Sequence, residues 1–79
     1  MITVRLLGLL STYGGPRTFS IQAQTALEVI NMLSDMGVDK DLLKGAIVFV
    51  NQTPIHGLKL RSHLKNGDEI ALISPVGGG

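Results

Sequence analysis

Seventy-nine residues make one small domain, and a hydrophobic share of 44% against 16% charged supports a packed core, not a disordered segment. A net charge of +1, with one Tyr, two Phe and no Trp, gives no electrostatic or stacking case for nucleic acid, nor for an anionic membrane surface. The absence of cysteine excludes disulfides, a thiol nucleophile and a thiolate metal site; with no signal-peptide pattern and no membrane-length apolar run, the chain is expected in the cytoplasm.

Ile2 to Leu10 reads as a strand, because Ile2, Val4 and Leu6 alternate with Thr3, Arg5 and Leu7. Tyr13-Gly14-Gly15-Pro16 supplies turn chemistry, and Thr18 to Gln22 resumes as a β-rich run, which predicts a hairpin. A helix comes next. Thr25-Ala26-Leu27-Glu28 fits a capping box, in which the threonine oxygen accepts from a backbone amide and the glutamate reaches back. Ala26, Val29, Ile30, Leu33 and Met36 form one apolar stripe, and Gly37 stands where a left-handed cap would close it.

Asp39 to Lys44 predicts a short helical turn ended by Gly45. Ala46 to Val50 is apolar throughout, as a central strand covered on both faces would be. Asn51-Gln52 turns the chain, a short edge strand is expected around Ile55 to Leu60, and Asn66-Gly67 marks another turn. Glu69 to Ser74 is the last strand, with Ile70 and Leu72 on one face and Ala71 and Ile73 on the other. This order predicts an α+β domain in which one helix covers one face of a mixed sheet over residues 1–74. The opposite face would carry Leu7 and Ile73, joined by Ile47 or Phe49, as an apolar docking patch.

Residues 75–79, Pro75-Val76-Gly77-Gly78-Gly79, read as a slim flexible tail. Glycine offers no side-chain chemistry, so the reactive group of such an ending is the α-carboxylate of Gly79. Elsewhere the chain offers little for catalysis. His56 and His63 lack metal-ligand spacing, Ser11-Thr12 has no activating partner, and no carboxylate pair stands out as an acid–base couple. Lys59, Arg61 and Lys65 read as a solvated basic face. The chain looks like a substrate of enzymes.

Val50-Asn51-Gln52-Thr53, Gly67-Asp68-Glu69-Ile70-Ala71 and Pro75-Val76-Gly77-Gly78-Gly79 together resemble the small subunit of molybdopterin synthase. That family consists of ubiquitin-like, β-grasp sulfur carriers ending in Gly-Gly, and the likeness runs over essentially the whole chain. The resemblance implies that an E1-like adenylating enzyme uses ATP to adenylate Gly79, and that a sulfur donor then makes the thiocarboxylate. It implies that the large synthase subunit takes in the tail, Gly77 and Gly78 included. Sulfur would pass there to a pterin precursor, building the dithiolene that holds molybdenum or tungsten. Partner-binding positions implied on this chain are Leu7, Ile55, Ile73, Pro75 and Val76, with no metal and no cofactor held stably. A chain that is monomeric alone and hetero-oligomeric at work is expected. Conjugation through Gly79 to target lysines, sulfur carriage for thiamine, cysteine or tRNA thiolation, and a passive interaction domain stay open, while Pro75-Val76 favours the molybdopterin type.

Overall fold

The computed structural model describes residues 1–12, 15 and 17–74. Its elements are strands Ile2–Gly8 (β1) and Thr18–Ile21 (β2), helices Ala26–Asp35 (α1) and Lys40–Lys44 (α2), and strands Ile47–Val50 (β3), Thr53–Ile55 (β4) and Glu69–Ser74 (β5). They form a five-stranded mixed sheet in the order β2-β1-β5-β3-β4, with β1 and β5 parallel at its centre and the other pairs antiparallel.

Alternation decides which side chains meet the helix. Ile2, Val4 and Leu6 of β1, Ile70 and Leu72 of β5 and Val48 of β3 are all buried, against Ala26, Val29 and Leu33 of α1. The helix begins at its predicted cap, with the Thr25 hydroxyl accepting from the Glu28 amide at 3.1 Å, but among the described residues the Glu28 side chain makes no return bond, so only half of the capping box forms. At its end Gly37 has φ +103°, the Val38 amide donates to the Leu33 carbonyl at 3.0 Å, and the Gly37 amide donates to that of Ser34 at 3.1 Å. This pair of bonds is a Schellman closure, and buried Val38 packs into the core behind it. Asp39 caps α2 through the Asp41 amide at 2.8 Å, and Gly45 succeeds the last turn.

Several expectations change. The first strand stops at Gly8, and Leu9–Thr12 winds into a 3-10 turn that buries Leu10 completely. Met36 caps α1 outside the helix and is exposed, so the apolar stripe ends at Leu33. β3 is not covered on both faces: Val48 is buried while Ile47, pointing the other way, is exposed. The edge strand falls at Thr53–Ile55, because Asn51 and Gln52 with φ of 49° and 72° make a tight hairpin that pairs Val50 with Thr53 at once. Beyond the edge strand, Gly57–Arg61 forms a second 3-10 turn. The predicted turn at Tyr13, Gly14 and Pro16 lies outside the described residues, as does the tail from 75 to 79. No helix among the described residues is long and apolar enough to cross a membrane.

Candidate functional site

The sheet face turned away from α1 remains uncovered, and strand pairing arranges its side chains in rows. Leu7 lies beside Ile73, and Ile73 beside Ile47. Arg5, Ala71, Phe49 and Pro54 make the next row, and Thr3 with Glu69 the one beyond. Leu7 is 42% exposed and Ile47 46%, while Ile73, Ala71 and Phe49 are half-buried. Single exposed aliphatics are ordinary on a protein surface, but here they are contiguous across three strands. The face is graded. Its apolar end adjoins Ser74, and its far end carries Arg5 and Glu69, 3.7 Å apart on either side of a shallow hollow shared with Gln52.

The last strand leaves the sheet at that apolar end. β1 finishes at Gly8 opposite Ser74, and β3 begins at Ile47 opposite Ile73, so both neighbours of β5 give out where it does. Ser74 therefore ends β5 between two strand termini, beside the row Leu7, Ile73 and Ile47.

The structure thus turns Leu7 and Ile73 to one outward face, with Ile47 and Phe49 on it as well. Ile55 does not join them. It pairs with Val48, shares that residue's inward face and is packed half-buried against the core, so the parity of β4 removes it from the docking patch. Pro75, Val76, Gly77, Gly78 and Gly79 lie outside the described residues. His56 precedes the Gly57–Arg61 turn, His63 makes a bridge to Thr25, and Lys59 and Arg61 lie in the turn itself. Among the described residues, no group of three or more His, Cys, Asp or Glu side chains could hold a metal ion. Sequence reasoning passed over Gly8, although a lone glycine at the end of an alternating strand is a signal of close backbone approach.

A hydrogen-bonded clamp secures the strand that carries the site. The Asn51 side chain donates to Asp68 at 2.9 Å and accepts from the Glu69 amide at 2.9 Å, while the Asn51 amide donates to the Glu69 carbonyl at 2.8 Å. The second Asp68 oxygen accepts from the Lys65 amide at 2.8 Å. The Lys65 amide, and after it the Asn51 amide group, hold the Asp68 carboxyl below its ordinary range; partial desolvation opposes them weakly and the Lys65 charge adds a little. Two segments far apart in sequence, Val50–Thr53 and Gly67–Ala71, are joined here. Their junction sets the register of β3 on β5, and with it the position of Ser74.

The ThiS family model matches residues 5–79. No curated protein matches the sequence. Among solved structures, the chain is similar to one in the protein–protein complex of subunits 1 and 2 of the molybdopterin-converting factor from Helicobacter pylori 26695: 29% identity over 99% of this chain and 97% of that one, TM-score 0.75. It is similar to one in the BexX/CysO complex of Amycolatopsis orientalis at 25% identity, with full coverage of both chains and a TM-score of 0.73. SAMP1 from Haloferax volcanii, 21% identical over 99% of this chain and 98% of its own with a TM-score of 0.79, shares the fold, a ubiquitin-like β-grasp.

Proposed function

The chain belongs to the ThiS family of ubiquitin-like sulfur carriers, and from that membership we propose that it carries sulfur on the carboxylate of Gly79 for building the pterin dithiolene of a molybdenum or tungsten cofactor. The observation that carries the reading is the apolar row Leu7, Ile73 and Ile47 beside Ser74, from which the glycine segment departs. A partner that grips this face receives the tail at a fixed starting point. The H. pylori neighbour, itself one chain of a two-subunit molybdopterin-converting factor, supports a hetero-oligomeric working state.

The chemistry needs activation because a carboxylate is a poor electrophile. One carboxylate oxygen attacks the α-phosphorus of ATP in an E1-like enzyme and pyrophosphate leaves, giving an acyl adenylate. Hydrosulfide delivered by a sulfur donor then attacks the acyl carbon, AMP leaves with the bridging oxygen, and loss of the S–H proton yields the thiocarboxylate. The catalytic side chains belong to the partners. This chain contributes the docking face, and a tail whose glycines at 77, 78 and 79 pass through a channel too narrow for side chains.

The test is intact mass spectrometry of the chain after incubation with an E1-like activating enzyme, ATP and a sulfur donor. Exchange of one terminal oxygen for sulfur, then sulfur transfer in the presence of a molybdopterin synthase large subunit, is expected. Isopeptide adducts on lysines of other proteins, without sulfur exchange, would assign the chain to protein modification. A native mature form carrying residues beyond Gly79 would sink the proposal.

A further inference from the structure

Gly8 belongs neither to the docking rows nor to the acyl chemistry, yet it forms the last pairing of β1 with β5, opposite Ser74. Its φ is +65°, and a Cβ built on it would lie 2.4 Å from the Ser74 carbonyl oxygen. Cβ contacts essentially never fall under 3.0 Å, so any side chain at position 8 requires a retreat of at least 3.0 minus 2.4, about 0.6 Å, and of about 1 Å to reach ordinary contact at 3.4 Å.

The two sides of this contact are unequally held. The Gly8 carbonyl accepts from the Ser11 hydroxyl at 2.7 Å, and Leu10, two residues on, is fully buried. Ile73 is paired on both sides, by Leu7 and Ile47. Past Ser74 comes Pro75, which has no N–H to offer a strand partner. Ser74 is itself buried, so the displacement falls on its carbonyl, the peptide group that ends β5. We infer that Gly8 is a positioning residue: lacking a side chain, it lets β1 close onto the Ser74 carbonyl and so fixes the point from which residues 75–79 continue. The inference rests on the tail-activation reading above. A shift of that point changes how far the carboxylate can reach from the docking rows, and a misplacement of about 1 Å at a reacting centre can cost on the order of 100-fold in rate.

Gly57 supplies the control, because its φ is +61° and a Cβ there meets nothing within 4 Å. Gly57→Ala carries the left-handed backbone cost without the close contact. ATP–pyrophosphate exchange by the E1-like activating enzyme is measured for wild type, Gly8→Ala and Gly57→Ala, with melting curves and the amide NMR signals of residues 76–79 in the free chains. Gly8→Ala is expected to lower kcat about 10- to 100-fold with KM within about twofold, since the docking rows are untouched, while Gly57→Ala keeps wild-type kcat. The amide signals move in Gly8→Ala alone. Equal kcat in the two variants, or a loss confined to KM, overturns the inference. Should Gly8→Ala fail to fold, Gly8→Asn presents the same Cβ at a lower cost in positive φ, and a folded Gly8→Asn with wild-type kcat overturns it as well. If wild type itself supports no exchange, the activation reading fails. The amide signals then still decide the role of Gly8, and unmoved signals overturn it.

Discussion

Asp68 shows how one half-buried carboxylate can organise two distant turns. Each of its oxygens takes a hydrogen bond, from the Lys65 amide and the Asn51 side chain, and both bonds favour the ionised form. With the folded-state pKa below the usual 3.8, the stabilisation is complete above 3.8 and is lost as pH falls through the lower folded value. The sign comes from proton counts: within that window the unfolded chain binds the proton and the folded chain does not, so stability rises with pH. Asp68→Asn should melt lower than wild type at neutral pH, and the gap should narrow steadily as the pH of the melts is taken below 3.8. A gap that stays constant into strong acid would show that ionisation of Asp68 contributes nothing.

The strands place opposite consequences on adjacent residues. Leu6 is buried and Leu7, its neighbour in β1, faces outward beside Ile73. Leu6→Ala should cost about 2–5 kcal/mol in chemical denaturation, as core truncations of leucine do. Leu7→Glu should cost within about 0.5 kcal/mol of folding stability while weakening calorimetric binding to the large subunit by tenfold or more, about 1.4 kcal/mol. A Leu7→Glu chain that unfolds, or that binds normally when folded, would place the docking surface elsewhere. This facing was legible because alternation is local: a period of two along Ile2–Leu7 needs no knowledge of the partner strand. The caps of α1 were legible for the same reason, since Thr25 and Gly37 act within a turn of themselves. What escaped depends on residues far away in sequence. The inward facing of Ile55 is fixed by its pairing with Val48, and the one-sided cover of β3 by the sheet having one helix layer. The burial of Leu10 comes from a 3-10 turn packing against β5, and Gly8 signals its role only once Ser74 is placed opposite it.

For the whole molecule, folding and reactivity are divided along the chain. The buried core runs from Ile2 to Leu72, and the clamp that joins the β3–β4 turn to β5 is complete at Glu69. The glycines at 77–79 have no side chains to bury. Deleting Gly79, or adding one residue after it, should therefore leave the melting temperature within about 2 °C, where a domain of this size moves roughly 4–8 °C per kcal/mol. The same changes should abolish formation of the acyl adenylate, because the carboxylate is then one residue short of, or one residue beyond, the point that a channel gripping the Leu7–Ile73 face delivers to the nucleotide. Melting curves and ATP–pyrophosphate exchange on the same samples separate the two effects. A melting point that drops by several degrees on loss of Gly79 would tie the tail to the core, and exchange that survives the added residue would mean that the reacting group is not the terminal carboxylate. Either result would break the proposed separation between a folded body and a reactive carboxylate at Gly79.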